Sequence, residues 1–115
     1  MTEEKVFAMP LSKVYPALLA KAERKGRTEE ELAAVVHWLT GWTAADVSHL
    51  MEEGCAYGDF FRKAPALNPR RSLVTGTVCG VRVEQVEHPL MRDVRVLDKL
   101  VDELAKGRPL EKVLR

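Results

Sequence analysis

The amino-acid sequence predicts an all-α protein, a compact orthogonal bundle of about five to six short helices. Apolar residues recur at spacings of three and four along most of the chain, which is the period of a helix with one buried face. Glycine or proline interrupts these stretches, as expected for turns between packed helices. The chain has 115 residues, of which 46% are hydrophobic and 30% charged. These values are typical of a globular protein, and we predict that residues 1–115 form a single domain.

The chain begins with a segment for which we expect no helix. Residues 1–11 contain Met9-Pro10, and a residue that precedes proline avoids the helical region of backbone space. The first helix should therefore start near Ser12, as its cap, and run to about Lys25, with Gly26 ending it. Its apolar face would consist of Val14, Leu18, Leu19 and Ala22.

Two further helices are marked by residues that cap helix N-termini. Thr28 and Glu31 form a capping-box pattern before a helix that would stop at Gly41. Thr43 opens another helix, which would end at Gly54. A short helical piece follows. The apolar residues are Leu32, Val35, Val36 and Leu39 in the helix after Thr28, and Val47, Leu50 and Met51 in the helix after Thr43. The short helical piece has Phe60, Phe61 and Ala64.

The stretch from Asn68 to residue 87 carries conflicting signals. Asn68-Pro69 is a strong start signal for a helix, because asparagine caps helices well and proline suits the first helical position. Gly76 and Gly80 weaken a helix, and the residues after Gly80 alternate like a strand. We predict a helix to about Cys79 and then an extended link. A small hairpin near residues 80–87 is the alternative.

The last long stretch, Leu90 to Lys106, is predicted to be the helix around which the rest is organised. Pro89 precedes it, and Gly107 with Pro109 ends it. We interpret it as the central helix of the protein's own core. A coiled-coil seam between two chains is the alternative. Its apolar stripe comprises Leu90, Val94, Leu97, Val101 and Leu104, widened by Leu100.

Nucleic-acid binding is an improbable function for this sequence. The net charge is only +1. The helix ending at Leu39, the turn at Gly41 and the helix from Ala44 imitate a helix-turn-helix. However, the second of these helices carries Asp46, Glu52 and Glu53 and no lysine or arginine, so it would repel phosphates.

Composition also bears on the cellular setting. The sequence has no apolar run of eighteen residues and no secretory signal, so we expect a cytoplasmic protein without a membrane anchor. Cys55 and Cys79 should then be free thiols. Isoleucine is absent, and Asn68 and Gln85 are the sole side-chain amides. This bias suggests a GC-rich genome and a thermophilic host.

Metal, cofactor and catalytic sites are not indicated by the sequence. Zinc sites use ligand pairs at short fixed spacings. The soft ligands here, His37, His49, Cys55, Cys79 and His88, show no such pairs. No pattern joins a nucleophile to a base either, so we expect packed cysteines and lean against an enzyme. Trp38 and Trp42 are interpreted as core anchors.

Ligand or anion binding is the remaining chemistry that the residues suggest. The segment with Thr75, Cys79, Arg82 and Glu84 contains two glycines and a cysteine where plain packing would accept alanine or leucine. Arg27, with Lys21, Arg24 and Lys25, forms a basic cluster at the first turn. A second basic group flanks Asn68-Pro69, close to a predicted helix N-terminus that attracts anions. It comprises Arg62, Lys63, Arg70 and Arg71.

Nearly the whole chain resembles a family of small bacterial proteins known as domain of unknown function 2200. The resemblance implies a small helical fold and a cytoplasmic bacterial protein, and it implies no activity. Arg70-Arg71 are not part of the family's pattern. The runs that carry the likeness are Met9-Pro10, Val14-Tyr15-Pro16, Lys25-Gly26-Arg27-Thr28, Trp38-Leu39-Thr40-Gly41, Asn68-Pro69, Leu73-Val74-Thr75-Gly76, Cys79-Gly80, Arg82-Val83-Glu84, Pro89-Leu90-Met91 and Asp98-Lys99-Leu100-Val101-Asp102-Glu103-Leu104.

These observations favour a helical module that binds a protein partner, which includes self-association as a homodimer, without catalytic activity. The alternative is a small-molecule or anion-binding protein, or an enzyme, with a pocket near Thr75, Cys79, Arg82 and Glu84.

Overall fold

The computed structural model describes residues 2–115 and confirms the all-α class. Over these residues it has seven α-helices, two 3₁₀ helices and one two-stranded antiparallel hairpin. The α-helices exceed the expected five to six because short ones form near both ends. The α-helices are α1 (Glu3–Ala8), α2 (Leu11–Glu23), α3 (Glu29–Thr40), α4 (Ala44–Glu52), α5 (Tyr57–Arg62), α6 (Pro89–Ala105) and α7 (Leu110–Val113). The first 3₁₀ helix is Pro69–Leu73, and the second is Val83–Gln85. The hairpin between them has the strands β1 (Thr77–Val78) and β2 (Val81–Arg82).

Helix α6 lies at the centre of the core, as the spacing of its apolar residues predicts. It packs against α2, α3, α5, the hairpin, the second 3₁₀ helix and α7. The chain's own elements therefore cover the stripe, and it is not left open as a seam for a second chain. Leu90 is half-buried, and the buried members of the stripe are Val94, Leu97, Leu100, Val101 and Leu104.

Both predicted capping residues, Thr28 and Thr43, begin helices in the structure. The Glu31 N–H donates to Thr28 Oγ1 at 3.2 Å, and the Thr28 N–H donates to Glu31 Oε1 at 3.0 Å. Thr43 and Asp46 exchange the corresponding bonds at 3.1 and 2.9 Å. Each box satisfies backbone donors that an uncapped helix would leave without partners.

The C-terminus of α3 is closed by the loop that leads to the first 3₁₀ helix. The N–H groups of Ala66 and Asn68 donate to Thr40 O and Leu39 O, and Asn68 Nδ2 donates to Trp38 O at 3.1 Å. Gly41 has a φ of 84°, and a Cβ there would lie 2.9 Å from Ala66 Cβ. Glycine is therefore required at this position on two grounds, backbone conformation and space.

The prediction that residues 1–11 are extended is wrong, because residues 3–8 form α1. Met1, which also belongs to that prediction, lies outside the described residues. Thr2 Oγ1 accepts from the Lys5 N–H and caps α1. Proline restricts only the residue before it, and here that residue, Met9, takes the extended conformation after α1 has ended. Ser12 is not the cap of α2, because that helix already begins at Leu11 after Pro10.

The predicted helix from Asn68 to about Cys79 is also wrong beyond its first turn. Asn68 Oδ1 accepts from the Arg70 N–H and caps a 3₁₀ helix that ends at Leu73. Val83–Gln85 form a 3₁₀ helix, so the hairpin, our alternative near residues 80–87, forms earlier than expected, at residues 77–82. Cys79 and Gly80, between its strands, have φ values of 52° and 74°. Positive φ at both positions is the pattern of a type I′ turn, whose twist suits a tight hairpin.

Candidate functional site

A cleft between the two 3₁₀ helices and the first half of α6 is the principal candidate site, and we call it the cleft throughout. Its volume is about 440 Å³. Its polar lining residues are Arg71, Ser72, Glu84, Glu87, Arg92 and Asp93. Its apolar lining residues are Pro69, Val74, Val83, Pro89 and Val96.

Helix α6 contributes one continuous face to the cleft. Pro89, Arg92, Asp93 and Val96 are spaced by three, four and seven residues, which places them on one side of a helix. The N-terminus of α6 is set by Pro89 and by His88, whose Nδ1 accepts from the Met91 N–H at 3.4 Å. The positive end of the helix dipole therefore lies beside the cleft.

A buried ion pair joins the first 3₁₀ helix to α6 in the cleft. Arg71 Nε donates to Asp93 Oδ1 at 2.9 Å, and Asp93 is only 9% exposed. Arg71 Nη1 also donates to Asn68 O at 3.0 Å, and Asn68 is itself bonded to α3. A carboxylate buried without a partner would be costly. The pair therefore holds the two walls of the cleft together.

The remaining charged groups of the cleft are only partly engaged. Arg92 Nε donates to Val86 O at 2.8 Å. Glu84 Oε2 accepts from the Gly76 N–H at 3.0 Å, and this bond lowers the pKa of Glu84. Within residues 2–115, neither the terminal nitrogens of Arg92 nor the carboxylate of Glu87 has a hydrogen-bond partner. The cleft thus offers donors and acceptors to an occupant.

The structure distributes the predicted ligand residues unequally around this cleft. Glu84 lines it. Thr75, Cys79 and Arg82 are exposed on the neighbouring hairpin segment, with Cys79 in its turn, and they do not line the cleft. The Glu84 bond to the Gly76 N–H ties this segment to the cleft wall.

Arg27, also predicted as an anion-binding residue, lies at the other end of α6. Its guanidinium donates to both carboxylate oxygens of Glu31, and its Nη1 donates to Leu104 O at 3.1 Å and to Arg108 O at 2.9 Å. With a rise of about 1.5 Å per residue, Leu104 is roughly 20 Å along the helix from Pro89. The structure therefore does not bring Arg27 together with the cleft.

Sequence reasoning missed most of the cleft. Arg92 and Asp93 were not predicted as site residues. Asp93 lies among the buried residues of α6. The spacing of Pro89, Arg92, Asp93 and Val96 could have indicated the site, because it places these residues on a second face of α6. Arg71 belonged to the predicted basic group, but its partner could not be identified from the sequence.

The two tryptophans are partly buried and pack against the core, as anchors do. Trp42 lies beyond the end of α3, and its indole Nε1 donates to Phe60 O at 2.9 Å. Trp38 borders a second, shallower groove of about 510 Å³, whose lining includes Pro65, Leu67 and Pro69. That groove has no ion pair in its lining, so the cleft is the stronger candidate.

A buried polar cluster lies where α5 packs against α6. The Tyr57 hydroxyl is buried and has no hydrogen-bond partner within residues 2–115. Burial, together with the charge of Asp98, raises the pKa of Tyr57 well above its usual value. Burial likewise raises the pKa of Asp98, although Arg95 Nη1 lies 3.1 Å from Asp98 Oδ2 and Lys21 is also near.

We predict that Asp98→Asn changes how stability depends on pH. A carboxyl whose pKa is raised by folding stabilises the protein below the unfolded pKa, and this contribution is lost as pH rises through the folded pKa. The variant lacks this dependence on pH. The free energy of unfolding of the variant minus that of the native chain should therefore increase between about pH 3 and about pH 7.

Urea unfolding at several pH values measures this difference. Asp59→Asn is the matched control, because Asp59 forms an exposed pair with Arg62. A difference that stays constant or decreases with rising pH would contradict the prediction for Asp98.

Residues 2–115 contain neither a candidate membrane span nor a candidate metal cluster. Among the helices of residues 2–115, none combines the length and apolar character that a membrane span requires. The same residues contain no group of three or more His, Cys, Asp or Glu side chains placed to hold a metal ion.

Comparison with known proteins identifies relatives without a described activity. Residues 5–115 match a family described as "Uncharacterized protein conserved in bacteria (DUF2200)". The fold is similar to a solved structure titled "Crystal structure of uncharacterized protein SP1917", with a TM-score of 0.92 and 47% sequence identity. That similarity covers 98% of this chain and 93% of the other. A comparison with curated proteins gives no match.

Proposed function

The chain belongs to the DUF2200 family of uncharacterised bacterial proteins, and from this premise we propose that it is a non-catalytic binding protein that holds a small organic ligand in the cleft. The observation that carries the proposal is the cleft itself. Its volume of about 440 Å³ lies within the range of about 300–1,000 Å³ that is usual for ligand sites. Convergent charged groups over an apolar floor are also usual there.

Binding is favoured over catalysis by the residues that line the cleft. Nucleophilic catalysis needs a nucleophile within hydrogen-bond reach of a base. The one hydroxyl among the lining residues, on Ser72, donates to Pro69 O at 3.2 Å. Cys55 and Cys79 are free thiols outside the lining. The cytoplasmic setting expected from the sequence forms part of this proposal.

A protein-interaction module is the second candidate function. Leu73 is 55% exposed and is the only large hydrophobic side chain exposed over the described chain. It lies between Ser72 and Val74, which line the cleft, so a partner could cover both features. A single exposed leucine is common on monomeric proteins, and it therefore supports docking less strongly than the cleft supports ligand binding.

We expect small fragments to bind in the cleft, and NMR of the ¹⁵N-labelled protein would detect them. Amide shifts should concentrate at Ser72, Val74, Glu84 and Arg92. Ser72→Tyr should abolish these shifts, because the larger side chain enters the cleft. Ser48→Tyr, at an exposed position on α4, is the matched control and should bind normally.

Two results would contradict the proposal. One is a fragment set that leaves the cleft amides unshifted. The other is equal binding by Ser72→Tyr and the native chain. Analytical ultracentrifugation tests the second candidate: a dimer that becomes monomeric in Leu73→Asp would favour the interaction module.

A further inference from the structure

We infer that the ligand of the cleft is a free α-amino acid with an aliphatic side chain, held as a zwitterion. This inference rests on the proposed ligand-binding function and specifies its ligand class. It is carried by the charges that line the cleft, by their partners and by the floor beneath them.

Among the charges of the cleft, one positive group has no partner at its terminal nitrogens and one negative group has no partner at all within the described chain. Arg71 and Asp93 neutralise each other at 2.9 Å. Glu84 accepts from the Gly76 N–H. Within the described chain, the terminal nitrogens of Arg92 and the carboxylate of Glu87 remain unpaired. A ligand with a single charge would satisfy only one of these two groups, whereas a zwitterion satisfies both.

The position of Arg92 suits the carboxylate of such a ligand. Arg92 lies in the first turn of α6, a helix of 17 residues, and Pro89 at its first position also lines the cleft. The dipole of a helix favours negative charge at its N-terminus. A guanidinium with its two terminal nitrogens unpaired can bind a carboxylate in a bidentate manner.

The acidic groups suit the ammonium group. Glu87 is exposed and unpaired, and Asp93 engages Arg71 through Oδ1 alone, so Oδ2 has no partner among residues 2–115. An ammonium has three donors and no acceptor. It can therefore bind Glu87 and Asp93 Oδ2 without competing with Arg71.

The floor of the cleft selects the side chain of the ligand. Pro69 and Pro89 line it with exposed apolar surface, whereas Val74, Val83 and Val96 are at most 2% exposed and add little surface of their own. An aliphatic side chain placed against the two prolines leaves water, which is favourable. The volume is at the lower end of the range for ligand sites, which suits an amino acid better than a nucleotide.

The experiment compares three ligands with the same isobutyl side chain by NMR titration. They are L-leucine, its decarboxylated analogue 3-methylbutylamine and its deaminated analogue 4-methylpentanoate. We expect L-leucine to shift the cleft amides and each analogue to bind at least about tenfold more weakly, because each loses one charge-assisted contact.

Variants assign the two charges. Arg92→Gln and Glu87→Gln should each weaken L-leucine binding by about tenfold or more. Both positions are exposed, so the fold should survive. Arg70→Gln is the matched control, because Arg70 is exposed on the first 3₁₀ helix, which borders the cleft, but does not itself line the cleft. It should bind L-leucine normally.

The outcomes separate this inference from the proposed function. If other fragments bind in the cleft while L-leucine binds no better than either analogue, the inference is overturned and the proposed function stands. Binding of L-leucine outside the cleft would also overturn the inference. If nothing shifts the cleft amides, both fail.

Discussion

Replacing Leu100 with alanine is expected to lower the free energy of unfolding by about 2–5 kcal/mol. Leu100 is fully buried on α6, the helix that packs against most of the other elements. The substitution removes apolar contacts and leaves a cavity that the surrounding helices can fill only in part. Because a domain of this size has a total stability of about 5–15 kcal/mol, the loss is a large fraction of it.

Leu73→Ala provides the matched control for Leu100→Ala. The two substitutions delete the same atoms, but Leu73 is exposed, and its loss should change the free energy of unfolding by less than about 0.5 kcal/mol. Urea unfolding followed by circular dichroism measures both variants. Equal losses at the two positions would contradict the central place of α6 in the core.

Replacing Arg27 with alanine is expected to cost roughly 1–3 kcal/mol, the second largest effect. The Arg27 side chain is only 14% exposed, and it joins the start of α3 to the end of α6. Its removal leaves Glu31 without its ion-pair partner and the carbonyls of Leu104 and Arg108 without their shared donor. Arg27→Lys should recover only part of the loss, because lysine cannot form the bidentate contact.

The cost of Arg27→Ala should shrink in acid. Arg27 and the Thr28 N–H hold the pKa of Glu31 below its usual value. A lowered pKa stabilises the fold above the unfolded pKa, and that contribution is lost as pH falls through the folded pKa. Unfolding at neutral and acidic pH measures this difference. Arg24→Ala, which removes one exposed bond to Ala20 O, is the control and should cost little.

Local signals predicted most of the fold. The Thr28 and Thr43 caps, the left-handed Gly41 and the apolar stripe of α6 each depend on neighbours within about one helical turn. The errors occurred where such signals conflicted. Asn68-Pro69 correctly marks a start, but the sequence did not reveal that Cys79 takes positive φ in a two-residue turn. That conformation is unusual for a residue other than glycine.

The candidate site was harder to predict because it depends on contacts between distant segments. Arg71 and Asp93 are 22 residues apart in the chain, and only the folded structure shows that they meet. Glu84, which lines the cleft, was predicted as part of a set that included Cys79 and Arg82, which do not line it. Arg27 was noticed for its charge, whereas its partners are backbone carbonyls of residues that sequence patterns do not connect to it.

The position of α6 in the chain has a consequence for the order in which the protein is made. Ribosomes synthesise the N-terminal elements first, at about 5–20 residues per second. Helices α1 to α5 emerge before the helix that covers their apolar faces, since α6 begins at Pro89. The nascent chain must therefore keep those faces from aggregating until α6 has been synthesised. We expect the native core to close only after α6 has left the ribosome.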